Sequence, residues 1–462
     1  MFTSPYYIPF LAVSVILYFL MPGKYRAVLL LMLSYLFCAA LNINSLWVLI
    51  LVSLFTYFAA RWISKTDPVK NKAKRKISAV LSVLVCVSIL AAYKFLTHFQ
   101  VSIPIGLSFY LFQAIGYLVD VYKGNYSARI SFVNYGLYLA FFPKFISGPI
   151  EHEHTFMDQL QNLDKVRFWN RGRLSTAAAY MLSGYFMKMV IADRLAIIVT
   201  RLFDAPVSYD SFWLVLGALF YTIQIYCDFA GYSFIAIGSS RLFGIDLSIN
   251  FFAPYYSENI TEFWRRWHIS LSTWLRDYLY IPLGGNRKGL FRKCLYTMIV
   301  FAVCGIWHGV GFSFLVWGLL HGIYSVLDTL FRTNKIKIPF GRVITFLEVS
   351  FAWIFFKASS LRSALSYIWN MLTSGFRFSE YSVILDNLNI GEIEIAIIMI
   401  SILLMTVSDM ISYRKNEPFP ELIQHLPASG RYLVFYMLII LLFIFGIYGP
   451  EYHSEQFIYM QF

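Results

Sequence analysis

Two imidazoles stand where this chain would be expected to carry only apolar side chains. His308 closes an apolar run as Gly305-Ile306-Trp307-His308-Gly309, with no carboxylate nearby in sequence. An ionisable group at membrane depth is costly, and it usually faces a cavity or a partner. Gly305 and Gly309 have the small-x-x-x-small spacing that lets a helix or a substrate approach closely. His268 lies among indoles in the segment 264–278. Drawn as one helix, that segment puts Trp264, Trp267, His268, Leu271, Trp274, Leu275 and Tyr278 on one face. The plainer reading is an interfacial aromatic belt with snorkelling arginines, and the imidazole argues against it.

Other side chains carry weaker signals. Gly318-Leu319-Leu320-His321-Gly322 repeats the glycine–histidine spelling thirteen residues on, about 220° round a continuous helix, so His321 reads as a structural support. Cys304 precedes His308 by four, which suits a thiol and base, although a buried packing cysteine is the commoner outcome. Glu151-His152-Glu153-His154 has metal-binding side chains, but neighbours in sequence splay, and a solvated loop without metal is expected. Asp228 is a lone carboxylate in an apolar stretch: either an arginine's partner or a polar group lining a passage. The final Phe457-Ile458-Tyr459-Met460-Gln461-Phe462 docks on a membrane surface or offers its phenol as a nucleophile.

Elements that position such groups must be membrane helices. Of 462 residues, 59% are hydrophobic and 14% charged, against about 45–50% and 25% in soluble domains. Mean hydropathy is +0.62 over the whole chain. A soluble enzyme, a disordered chain and a disulfide scaffold are excluded. The net charge of +13 is concentrated in Lys65, Lys70, Lys72, Lys74, Arg75 and Lys76. With no solvated basic domain this points to lipid headgroups and not to nucleic acid. Apolar stretches at 7–21, 26–41, 46–62, 77–95, 103–121, 177–199, 212–237, 294–306, 312–330, 343–356, 393–410 and 432–447 predict an all-α polytopic protein. About 10–12 crossings are expected, with 250–293 interfacial or re-entrant. Placing the basic run in the cytoplasm puts the amino terminus outside. The expected organisation is one embedded domain: N-terminal helices (1–100), a core with both histidine motifs (101–330), and C-terminal helices with the tail (331–462).

The run EFWRRWHISLSTWLRDY at 262–278, followed by IPLGGNR at 281–287, resembles the membrane-bound O-acyltransferase family. The likeness is strongest to the branch typified by the alginate O-acetyltransferase membrane subunit. Pro104 through Tyr110, Phe141-Phe142-Pro143, Gly148-Pro149-Ile150, Lys188 through Asp193, Tyr226 through Tyr232 and Gly305 through Gly309 carry it further. The resemblance implies a helical bundle around a funnel and tunnel, in the plasma membrane. There a cytoplasmic acyl thioester (acetyl-CoA or an acyl carrier protein) would meet an extracytoplasmic polysaccharide acceptor. It implies no tightly bound cofactor and no metal. It makes His308 the principal catalytic residue, a neutral imidazole able to act as general base, and His268 the second. Trp264, Trp267, Arg276, Asp277, Trp307, Asp228, Gly305 and Gly309 would line the substrate path. Tyr459 would take the acyl group before an extracytoplasmic SGNH-hydrolase-like partner removes it.

Two departures stand out: Glu151-His152-Glu153-His154 follows Gly148-Pro149-Ile150 where a basic residue is usual, and Phe234 replaces an acidic residue after Gly231-Tyr232-Ser233. Rival expectations are D-alanyl transfer to teichoic acid, a non-catalytic glycan or lipid transporter, and a scaffold for an extracellular transferase.

Overall fold

The structure, a computed structural model, describes residues 2–336, 339–376, 385, 388 and 391–448. Tyr459 and the aromatic tail lie outside the described residues. Every regular element among those described is a helix. Among the described residues, eight helices are long and apolar enough to cross a membrane: Gly23–Leu41, Ile43–Lys65, Lys72–Leu96, Ser211–Leu242, Leu290–His308, Phe312–Thr333, Glu392–Lys415 and Ala428–Phe445. Helices satisfy their backbone polar groups internally, which lipid demands. Shorter helices such as Tyr7–Leu20, Leu107–Lys123 and Gly341–Lys357 account for other apolar stretches of the sequence. Large apolar side chains stay exposed on the long helices, Leu51, Phe58, Leu84, Ile440 and Phe443 among them. Exposed apolar surface of that extent marks a membrane-facing protein.

The chain divides into two compact units, the first made of Met1–Met181 and Ile235–Ile249. Its interior is rich in tyrosines, several of whose hydroxyls donate to partners within the unit. Tyr135 donates to Thr56 Oγ1 at 2.7 Å and Tyr138 to the Glu151 carbonyl at 2.8 Å. Lys144, also buried, donates to the Tyr138 carbonyl at 2.6 Å and to Gln113. The expectation of a solvated loop at 151–154 is corrected here. Glu151 and Glu153 are 3% and 2% exposed, and the Glu151 carboxylate accepts from Ser248 N–H at 2.7 Å and Ser248 Oγ at 2.9 Å. A carboxylate that finds two donors can stay buried, and sequence spacing gives no notice of donors 97 residues away.

The second unit comprises Leu182–Phe234 and Asn250–Phe462. Helices Leu290–His308 and Phe312–Thr333 form its tightest pair. A Cβ on Gly305 would sit 2.4 Å from the Phe314 carbonyl oxygen, and one on Gly318 would sit 2.3 Å from that of Phe301. Only glycine permits this approach, which matches the small-residue spacing read from the sequence. Asp228 meets a lysine, not the arginine anticipated: Lys188 Nζ lies 2.6 Å from Asp228 and 2.7 Å from Asp193. Lys188 sits in a π-helical stretch, Phe186–Ala192, whose wider turn sets it apart from the α-helical register on either side.

Candidate functional site

His268 does not ride on a continuous helix. The segment splits into Ile260–Arg266 and Ile269–Leu275, with Trp267 extended and His268 left-handed at φ 43° and ψ 53°. A non-glycine residue in that region costs about 1–2 kcal/mol, so neighbouring contacts must hold it there. Asn250 supplies them. Its Oδ1 accepts from Ser270 N–H at 3.2 Å and Ser270 Oγ at 2.9 Å, and its backbone carbonyl accepts from Ile269 N–H at 3.0 Å. Because a backbone N–H donates to Asn250 Oδ1, that atom is an acceptor, and His268 Nδ1, 3.2 Å away, must be the donor. The basic lone pair therefore sits on Nε2. Phe229 meets the ring edge-on at 4.7 Å between centroids, and burial pushes the imidazole down to about 3. His268 is thus a neutral base with a fixed tautomer.

His308 ends helix Leu290–His308 and is 2% exposed. Its ring packs against Trp307 at 4.7 Å, Trp317 at 4.9 Å and Phe356 at 5.2 Å between centroids. Trp307 also lies 6.3 Å from His268, so one indole touches both motif histidines although they are forty positions apart in sequence. The next helix begins at Phe312, so the continuous-helix rotation that set His321 away from His308 does not apply. His321 and His308 both pack on Trp317, each at 4.9 Å between centroids. His321 Nδ1 accepts from Trp264 Nε1 at 3.3 Å, which puts its own proton on Nε2. Three imidazoles and their indoles form one contiguous wall. Gly305 and Gly309 serve the helix contact behind it, where a Cβ on Gly309 would meet the Phe314 ring at 2.3 Å.

A cavity of about 550 Å³ borders this wall through Trp264 and Cys304, one helical turn before His308. Arg265, Arg276, Lys293 and Arg332 line it together with the hydroxyls of Ser272 and Tyr280. Arg276 also pairs with Asp277 at 2.7 Å, and Arg332 with Asp328 at 2.9 Å. Four cations around one opening favour an anionic ligand such as a phosphate ester. None of the three histidines is among the lining residues of this cavity, and Trp267, 1% exposed, supports the wall from behind against Trp353 at 5.1 Å. A smaller cavity of about 100 Å³ reaches Phe251 and Tyr226, which pack near His268 and Trp267, and half-buried Asp409 lies on its edge, accepting from the Tyr226 hydroxyl at 3.1 Å.

The histidines and most of the indoles singled out from the sequence come together in this wall. Sequence reasoning missed Asn250, Lys188 as the partner of Asp228, and the convergence of Arg265, Lys293 and Arg332 on one cavity. The available signal for Asn250 was a lone amide between Leu247-Ser248-Ile249 and Phe251-Phe252, in a run with no other side-chain amide.

Comparison with known proteins bears on this wall. The chain is 34% identical to the probable alginate O-acetylase of Pseudomonas fluorescens, over 91% of this chain and 86% of that protein. It is likewise 34% identical to the peptidoglycan O-acetyltransferase of Helicobacter pylori, over 80% of each. Identity to the teichoic acid D-alanyltransferase of Bacillus subtilis is 26%, over 65% of this chain and 81% of that one. The description "membrane-bound O-acyltransferase family" matches residues 126–368, a span that contains His268, His308 and His321. With a match over more than half its length and relatives that align along most of it, this chain belongs to the membrane-bound O-acyltransferase family.

Proposed function

We propose that this membrane O-acyltransferase moves an acetyl group from a cytoplasmic thioester to a hydroxyl destined for an extracytoplasmic polysaccharide, with His308 as general base. The observation that carries the proposal is that both motif histidines pack on the single indole of Trp307, beside a cavity of about 550 Å³ lined by four cations. Acetyl-CoA and a carrier-protein phosphopantetheine both bring phosphate, which suits Arg265, Arg276, Lys293 and Arg332. The names of the Pseudomonas and Helicobacter relatives support acetyl transfer to a glycan. The lower identity of the Bacillus relative ranks D-alanyl transfer behind it.

In the proposed step His308 accepts the proton of the attacking hydroxyl as its oxygen bonds to the thioester carbonyl carbon. The tetrahedral intermediate then breaks its carbon–sulfur bond, and the departing thiolate takes the proton back from the imidazolium. The first hydroxyl is the Tyr459 phenol, whose ester is a better acyl donor than a sugar ester. An SGNH-hydrolase-like partner outside the cell membrane completes transfer to the glycan. On this reading the basic run from Lys65 to Lys76 faces the cytoplasm and the amino terminus faces outward.

The test uses membrane vesicles given acetyl-CoA labelled in the acetyl group. Wild-type vesicles transfer label to protein or glycan. His308→Ala vesicles holding equal amounts of protein lose transfer about 10²–10⁴-fold, the usual contribution of a general base. Equal labelling by the two would rule His308 out as the base.

A further inference from the structure

A second cluster of ligating side chains stands in the first unit, outside the acyl-transfer wall. His152 is extended at φ −77° and ψ 141°, and Glu153 and His154 open the helix Glu153–Leu160. That change of backbone between neighbouring residues undoes the splay expected of a regular strand or helix. One donor atom from each of the three lies within 4.8 Å of the others. Around a zinc ion with bonds of 2.0–2.2 Å, donors sit about 3.3 Å apart, so the cluster needs only modest rotation of the side chains. His152 is half-buried and His154 exposed, which leaves both rings room to turn and an ion a way in.

Glu153 supplies an independent reason to expect a cation. It is 2% exposed, and its Oε2 meets no hydrogen-bond donor among the described residues. A buried carboxylate oxygen that no donor reaches is expensive. The Asp120 side chain, 8% exposed, stands within hydrogen-bond reach of Glu153, and its Oδ1 accepts from Asn125 Nδ2 at 2.9 Å. Two carboxylates at that range repel each other, and a cation between them relieves the repulsion. A divalent ion balances both charges, with two neutral imidazoles completing the donor set. Nitrogen donors select zinc and its transition-metal neighbours over calcium or magnesium.

We propose that His152, Glu153 and His154, with Asp120 or water as fourth ligand, bind one divalent transition-metal ion of the zinc type. The ion would clip the end of helix Leu107–Lys123, which carries Asp120, to the start of helix Glu153–Leu160. Neither the acyl-transfer chemistry nor His308 takes part in this site.

The test uses the full chain, purified in detergent through a histidine-free tag, stripped with chelator and titrated with Zn²⁺ by calorimetry. The proposal predicts one ion per chain, a thermal midpoint raised by Zn²⁺ and lowered again by chelator, and a Co²⁺ spectrum of tetrahedral type. His154→Ala changes an exposed side chain, so folding is preserved, and it should weaken Zn²⁺ binding at least about 10- to 100-fold. His152→Ala should do the same. Absence of binding, or equal binding by wild type and both variants, overturns the site.

Discussion

The protonation state of His268 is set by two hydrogen bonds and by burial. Ser270 N–H makes Asn250 Oδ1 an acceptor, that acceptor makes His268 Nδ1 a donor, and burial keeps the ring neutral. The consequence is a measurable pH dependence of stability. Burial moves the imidazole from the ordinary 6.5 down to about 3, so between those values the unfolded chain binds a proton that the folded chain refuses. Stability from this residue is complete above pH 6.5 and is lost as pH falls, by up to about 1.4 kcal/mol per pH unit. His268→Asn keeps a residue that tolerates left-handed backbone and removes the imidazole. The thermal midpoint of that variant should fall less steeply than the wild type's as pH drops below 6.5, and parallel slopes would contradict the account. The imidazole was legible in the sequence because its charge-capable ring stood among indoles. Asn250 was not, because a positioning amide eighteen residues away leaves no periodic signal. The pairing of Lys188 with Asp228, forty residues on, was invisible for the same reason.

At the scale of elements, spacing identified amphipathic segments and did not detect where they break. Trp264, Trp267 and His268 keep helical spacing across a left-handed residue, since two short helices can bury the same face that one long helix would. The turn after His308 was visible as Gly309-Val310-Gly311, and giving it weight would have folded the two glycine–histidine motifs into a hairpin. That hairpin makes the second prediction. A Gly318 Cβ would lie 2.3 Å from the Phe301 carbonyl oxygen and 3.1 Å from Gly305 Cα. Gly318→Val should therefore force helices Leu290–His308 and Phe312–Thr333 apart and cost about 1–3 kcal/mol or more, the range of overpacked cores. It should also move Trp317 away from His308 and His321, so acyl transfer falls together with the thermal midpoint. A variant with unchanged midpoint and activity would show that the close approach is dispensable.

Over the whole molecule, composition alone established the class. A charged fraction of 14% and long apolar helices leave no alternative to a membrane protein, and the eight long helices follow from that. Lys72, Lys74, Arg75 and Lys76 crowd the start of helix Lys72–Leu96, where the helix dipole disfavours cations, and an anionic lipid surface would compensate them. The cationic cavity was not readable, because Arg265, Lys293 and Arg332 come from three different helices and each resembles an ordinary flanking charge. On the proposed reading, Arg265→Ala with Lys293→Ala should raise KM for a phosphate-bearing thioester about tenfold or more while changing kcat much less, since each charge-assisted contact contributes about 1.5–3 kcal/mol. Unchanged KM in vesicle assays would remove the cavity from donor binding. The central claim, that His308 performs the acyl transfer, is tested most directly by the O-acetyl content of surface polysaccharide purified from cells whose only copy is wild type or His308→Ala, at matched membrane levels. The account predicts that O-acetyl groups are present with the wild type and absent with the variant. O-acetylation surviving at the wild-type level would contradict it.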